Sequence, residues 1–114
     1  MKKYLRLFAF LLITSAPGAA YAAPEALSPA AGAYDEAMHQ MHEKMMIEYS
    51  GDADKDFVRG MIPHHQGAVD MAKIQLKYGK DPELKKLAQD IIDSQRKEIK
   101  QMQQWQTIHD KAAK

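Results

Sequence analysis

The sequence predicts an all-α protein, an antiparallel bundle of three long helices. Apolar residues recur with a period of about 3.6 residues in three segments that follow residue 33. Typical helix start and stop residues separate these segments, and none of them shows the apolar/polar alternation of a strand. Because the segments are joined by short turns, successive helices are expected to pack side by side in opposite directions.

The first helix is expected over about residues 34–49, and Ser50-Gly51-Asp52 ends it. Residues 23–33 are rich in Ala and Pro and are expected to form a flexible lead, so that the bundle domain covers residues 34–112. An alternative helix start lies at Ser28, since Ser is a frequent N-cap residue and the next residue, Pro29, is favoured at the first helical position.

The second helix is expected over about residues 54–78 and the third over about residues 82–110. Pro63 removes one backbone hydrogen bond from the second helix, so a kink or a break is expected there. Gly79 is expected to close that helix in the left-handed conformation. Asp81, as an N-cap followed by a proline, is expected to open the third helix.

The turns predict which residues lie opposite each other. Folding the second and third helices about residue 80 places Met61 opposite Ile99. It also places the adjacent residues His64 and His65 opposite Gln95. Folding the first and second helices about residue 52 places Met41 beside Ile62. One layer of the bundle then gathers Met38, Met41, His42, Met61, His64, His65 and either Glu98 or Met102.

The N-terminus resembles an export signal. Basic residues precede an apolar run over residues 7–13, which is too short to span a bilayer, and a small-residue box ends at Ala22. A signal peptide over residues 1–22, cut after Ala22, is therefore favoured over an uncleaved anchor, and the periplasm is the expected location. The mature chain is expected to have no stable membrane anchor.

Composition excludes several kinds of function. Loss of the signal lowers the basic residues from 16 to 13 against 15 acidic ones, a net charge of −2, and no basic stripe remains for nucleic acid. The chain has no cysteine, so a metal site must use His, Met, Asp or Glu. We expect no enzyme activity, because neither a nucleophile arrangement, nor a phosphate-binding glycine loop, nor paired catalytic carboxylates are visible.

Methionine and histidine concentrate around His64 and His65. Thioether with imidazole favours Cu(I), and imidazole also accepts Cu(II), whereas zinc favours carboxylate or thiolate beside histidine. A di-iron site needs two Glu-x-x-His pairs, and only Glu36 with His39 has that spacing. Adjacent histidines differ by about 100° around a helix. They can share one ion if Pro63 distorts the turn; otherwise each serves a different site.

The run from Asp56 to Ala72, with Met-Ile-Pro-His-His at its centre, resembles the signature of a bacterial "domain of unknown function" family that includes the CopM copper-binding proteins. A second motif of this family resembles the pattern formed by Gln95, Glu98, Ile99, Met102 and Trp105. The resemblance covers about residues 34–109. It implies a ferritin-like helical bundle, export to the periplasm, and copper binding or metallochaperone activity.

The resemblance also implies ligands. Its Met-x-x-His-His element corresponds to Met61, His64 and His65, and its first helix is rich in Met and His. With the flanking methionines, the full candidate set is His64, His65, Met61, Met38, Met41, His42, Met45, His39, Met46, Met71 and Met102. A ferritin-like fold suggests a fourth helix, which either a short segment over 57–62 before the Pro63 kink or a second chain would supply.

Two functions are open on these observations. The first is a periplasmic copper-binding protein that buffers copper or exchanges it with a copper-exporting or copper-accepting protein. The second is a helical interaction module whose Met/His stripes only pack a core or a homodimer interface, since methionine is a common core residue.

Overall fold

A computed structural model describes residues 26–111, and this part of the chain forms three helices and no strand. They are α1 (Pro29–Met45), α2 (Ala53–Tyr78) and α3 (Pro82–Lys111). The prediction of an all-α, three-helix bundle is therefore confirmed. The expected signal peptide over residues 1–22 lies outside the described residues. No helix of the described part is long and apolar enough to cross a membrane.

Each helix begins at a side-chain cap. Ser28 Oγ accepts a hydrogen bond from the Ala31 N–H at 3.2 Å, so α1 takes the alternative start and includes residues 29–33. Asp52 accepts bonds from the first turn of α2 at 3.0 and 3.2 Å. Asp81 accepts a bond from the Leu84 N–H at 2.9 Å and opens α3 as expected. These bonds satisfy amide groups that have no partner within the helix.

Three local predictions were wrong. α1 ends at Met45, four residues before the expected end, so Tyr49 lies in the linker to α2. α2 continues without interruption through Pro63, so the break and the short fourth helix do not occur in residues 26–111. Gly79 has φ −70° and ψ 155°, an extended rather than a left-handed conformation. A proline in a helix interior costs about 3 kcal/mol, and α2 packs against both α1 and α3.

The α1–α2 linker is organised by one carboxylate. Asp56 accepts bonds from the Ser50 N–H at 2.8 Å, the Ser50 hydroxyl at 2.7 Å and the Gly51 N–H at 3.2 Å. The Ser50 backbone and hydroxyl bonds, then the Gly51 bond and nearby Arg59, hold the pKa of Asp56 below its usual 3.8. Gly51 has φ 86°, a left-handed conformation that glycine adopts without steric cost.

α2 lies at the centre of the bundle, with α1 and α3 on different sides of it. No Cα atom of α1 comes within 8 Å of one in α3. His65 pairs with Glu98, and Met61 shares a cleft with Met102, so α2 and α3 are antiparallel. The pairing is shifted by about three residues from the expected one, because the predicted turn centre was inaccurate by less than one helical turn.

Two glycines of α2 face α1 and the linker that follows it. Met41 packs at Gly67, where a Cβ atom would lie 2.7 Å from Met41 Cγ. Ile47 approaches Gly60. Met41 therefore lies about one turn further along α2 than its expected position beside Ile62. The small residues let the two helices approach closely.

The buried apolar core lies between α2 and α3 and is small. Val69, only 1% exposed, is its centre. The buried apolar residues of the described chain are Val58, Val69, Ala72, Ala88 and Ile92. Small domains bury a lower fraction of their surface than large ones, so the stability of such a fold is marginal without further contacts.

Candidate functional site

A cleft of about 450 Å³ runs between the first half of α2 and the second half of α3. We call it the α2–α3 cleft. Its lining residues are Asp54, Phe57, Val58, Met61, His65, Glu98, Gln101, Met102 and Trp105. Three of the expected copper ligands, two methionines and one histidine, thus come together from two helices.

His65 is the buried histidine of this cleft, 7% exposed. Its Nε2 lies 2.5 Å from Glu98 Oε2, whose side chain is 55% exposed. Its Nδ1 is buried and has no hydrogen-bond partner within residues 26–111, and the same holds for Gln95 Oε1. Buried polar atoms without partners are rare in folded proteins and call for an explanation, such as a bound water or ion.

His64 lies in a different environment. It is exposed, and it shares a helical stripe with Gly67, where Met41 of α1 packs, and with Gly60, which Ile47 of the α1–α2 linker approaches. The His64 and His65 ring centroids are 6.0 Å apart and the rings are tilted by 59°. The two adjacent histidines therefore face different sides of α2 and do not meet at one point.

The candidate ligands of α1 do not line the α2–α3 cleft. Met41 is half-buried against Gly67. His39 lies 3.3 Å from Glu43 on the exposed side of α1. The remaining exposed candidates on or directly after this helix are Met38, His42, Met45 and Met46. The single layer expected from the sequence is thus divided by α2 into two groups.

Met71 belongs to neither group. It borders a second, apolar groove of about 300 Å³ whose lining residues are Tyr34, Ala68, Met71, Ala72, Gln75, Leu84, Leu87, Ala88 and Ile91. We call it the apolar groove. Within residues 26–111, no histidine or carboxylate side chain lines this groove, and Met71 lies there among mostly apolar side chains.

Sequence reasoning did not assign Asp54, Phe57 and Gln101 to the site. The signal on α3 was nevertheless present, because Glu98, Met102 and Trp105 recur at i, i+4 and i+7 and so share one helical face. Trp105 is stacked on His109 with ring centroids 4.0 Å apart and a tilt of 15°. This stacking holds the indole at the end of the cleft.

In residues 26–111 no group of three or more His, Cys, Asp or Glu side chains is arranged to hold a metal ion. A mononuclear site in the α2–α3 cleft would therefore combine His65 with the thioethers of Met61 and Met102. Such a donor set differs from the ligands that zinc usually takes.

Comparison with known proteins gives the family. A model of the family described as "Domain of unknown function (DUF305)" matches residues 11–106. The chain is also similar to "Uncharacterized protein L153" of Acanthamoeba polyphaga mimivirus, 51% identical over 49 residues. That match covers 43% of this chain and 32% of the viral protein, so the chain spans about a third of its relative. The helical chain described here belongs to the DUF305 family.

Proposed function

We propose that the protein binds copper in the α2–α3 cleft, with a preference for Cu(I), as a buffer or metallochaperone of the CopM type. The observation that carries this proposal is the meeting of Met61, His65 and Met102 in one cleft. Thioethers are soft donors that favour Cu(I), and neutral imidazole adds affinity for both oxidation states.

The residues that line the cleft suit a cation of low charge. Phe57, Val58 and Trp105 supply apolar surface, which limits the access of water to a bound ion. Asp54 and Glu98 add two carboxylates at the same cleft. Their negative charge attracts a cation electrostatically.

The α1 side supplies a second, more exposed donor group that suits transfer of the ion. Met41 and His64 lie on the α1 side of α2, and Met38, His42 and Met45 are exposed nearby in sequence. Exposed donors lose bound ions to water and to other proteins more readily than buried ones. We therefore place storage in the cleft and exchange, with an exporter or an acceptor protein of the periplasm, on the α1 side.

Replacing single cleft donors tests the proposal. Met61→Leu, Met102→Leu and His65→Gln should each weaken Cu(I) binding at least about tenfold, equal to about 1.4 kcal/mol, because each removes one donor. Leucine keeps nearly the volume of methionine, so the fold should persist. The measurement is an anaerobic titration against a competing Cu(I) chelator, with helicity followed by circular dichroism.

Two matched controls come from α1 and its end. Met46→Leu and His39→Gln change the same residue types at exposed positions outside the cleft. Both controls should bind Cu(I) within about twofold of the parent. Parent-like affinity in all three cleft variants, with the fold intact, would contradict the proposed site.

The interaction-module alternative has one observation in its favour, the apolar groove. Leu84 and Leu87 beside this groove are 50% and 52% exposed. A second copy of the chain that covered them would remove this apolar surface from water, which is favourable. We expect Leu87→Gln to shift a monomer–dimer equilibrium toward monomer in sedimentation equilibrium. A parent protein that stays monomeric at every concentration without copper would exclude a homodimer formed through the apolar groove.

A further inference from the structure

Glu98 determines which nitrogen of His65 is free to bind an ion. We infer that His65 binds copper through Nδ1, and that Glu98 is a positioning residue that holds the Nε2 proton and is not itself a ligand. The inference rests on the proposed copper function. Its geometric part, the protonation of the ring, is testable without any metal.

The first step follows from the short contact between the two side chains. His65 Nε2 and Glu98 Oε2 are 2.5 Å apart. An ionised carboxylate only accepts hydrogen bonds, so the shared proton comes from Nε2. In a neutral imidazole one nitrogen carries the proton and the other carries the lone pair. In the neutral form of His65, the lone pair is therefore on Nδ1.

The second step is the burial of that lone pair. His65 is more than nine-tenths buried, and Nδ1 meets no hydrogen-bond partner in residues 26–111. Leaving a buried acceptor without a partner is costly. A soft cation that entered from the cleft would satisfy this buried atom, and Met61, one turn earlier on the same face of α2, is another cleft residue with a soft donor.

The third step concerns Glu98. About half of its side chain is exposed, so its carboxylate is bonded to His65 on one side and hydrated on the other. Histidines that bind metals commonly donate their second N–H to a carboxylate, which fixes the tautomer, orients the ring and makes the ligand nitrogen more basic. Because Glu98 belongs to α3, the α2–α3 packing orients the ring.

Nitrogen NMR of protein with ¹⁵N-labelled histidine tests the tautomer directly. His65 should carry its proton on Nε2. His109 is the internal control with the opposite tautomer, since its Nδ1 lies 2.8 Å from the Trp105 carbonyl, which can only accept. A His65 ring protonated on Nδ1 would overturn the inference.

The same spectrum identifies the ligand nitrogen when Ag(I), a diamagnetic soft cation, is added in place of Cu(I). The His65 Nδ1 signal should move, and Nε2 should keep its proton. Loss of the Nε2 proton would overturn the inference. An unchanged Nδ1 signal would overturn it as well, because it would mean that a buried water, and not the cation, occupies that side of the ring.

Glu98 variants give a second readout. Glu98→Ala should weaken Cu(I) binding about 10–100-fold, the usual effect of removing such a partner. Glu98→Gln should weaken it less, because the amide oxygen still accepts the Nε2–H bond. Glu43→Gln, which alters the carboxylate 3.3 Å from exposed His39, is the matched control and should bind as the parent does.

The outcomes separate this inference from the proposed function. If Met61→Leu, Met102→Leu and His65→Gln all leave copper binding unchanged, both are wrong. If only His65→Gln leaves it unchanged, the inference fails and the copper function stands. If His65→Gln weakens binding but the ion is bound to Nε2, or Glu98→Ala binds as the parent does, the inference fails and the copper function stands.

Discussion

His65 and His64 differ in exposure because successive residues of an α-helix point about 100° apart. α2 has α3 on one side and α1 on the other, so His65 is buried against α3 and His64 remains exposed. Pro63 does not break the helix and does not bring both rings to one face. At the residue scale, the two histidines therefore lie in different environments, His65 in the cleft and His64 on an exposed side of α2.

Asp56 gives a prediction about pH. Its folded pKa lies below the ordinary 3.8 because Ser50 and Gly51 donate to the carboxylate. The stability that this carboxylate contributes is therefore present above the ordinary value and is lost as the pH falls through the lowered one. Asp56→Asn should be less stable than the parent at neutral pH, and the difference should vanish in acid.

Urea unfolding midpoints between about pH 7 and about pH 2 measure this difference. Asp90→Asn, which alters an exposed carboxylate paired with Lys86 on the surface of α3, serves as the control. A parent–variant difference for Asp56 that stays constant over the whole range would refute the linker assignment.

At the scale of the element, α2 lies between the two groups of candidate ligands, those of the α2–α3 cleft and those on the α1 side. One stripe of the helix carries Gly60, His64 and Gly67 toward α1. Another carries Met61 and His65 toward α3. Two faces of a single helix thus separate the two groups of candidate ligands, and glycine on the first face permits the close approach of α1.

Alanine at the two α2 glycines should have opposite effects. In a helix interior, Gly→Ala stabilises by roughly 0.5–1 kcal/mol. Gly60→Ala should show this gain, because its Cβ would meet Ile47 Cδ1 at 3.9 Å, an ordinary contact. Gly67→Ala should destabilise by about 1–3 kcal/mol, the usual cost of overpacking, because its Cβ would lie 3.0 Å from Met41 Cβ and closer still to Cγ and Sδ.

Chemical unfolding of both variants measures these changes. In a double-mutant cycle, Met41→Ala should remove most of the penalty of Gly67→Ala, since it empties the space that the new methyl group needs. Equal stability of the Gly60 and Gly67 variants would show that α1 does not pack at Gly67.

At the scale of the molecule, residues 26–111 have a small core bordered by the α2–α3 cleft and the apolar groove. The buried apolar residues lie between α2 and α3, while the α2–α3 cleft and the apolar groove leave apolar surface uncovered. An ion held by donors from both helices would add a cross-link where the core is thin. The stability of the bundle should therefore depend on copper.

Copper should raise the unfolding temperature of the parent. A ligand that binds only the folded state stabilises it by about 2.7 kcal/mol at 100 times its Kd. Thermal unfolding without oxygen, with and without Cu(I), should show this shift in the parent and in Met46→Leu. His65→Gln should show a much smaller one. A parent without any shift at saturating Cu(I) would speak against a bridging ion.

Local sequence was sufficient for features that depend on neighbouring residues. The caps at Ser28 and Asp81 were predictable because the capping partners lie within three residues. The end of α1 was not predictable in this way, because the linker is held by Asp56, five or six residues further along the chain. Gly79 adopts an extended conformation, although the left-handed cap is the more common one.

The sequence by itself determined three helices and a concentration of soft donors, since helical period and ligand chemistry are properties of residue types. Only the tertiary structure decided which donors meet. Met61, His65 and Met102 share a cleft, and Met41 packs at Gly67 instead, because the offset between neighbouring helices depends on side-chain packing. The pairing of α2 with α3 is shifted by about three residues, which is nearly one helical turn, so the face of α3 that meets α2 was predictable. The individual partner was not, since His65 pairs with Glu98 and not with Gln95.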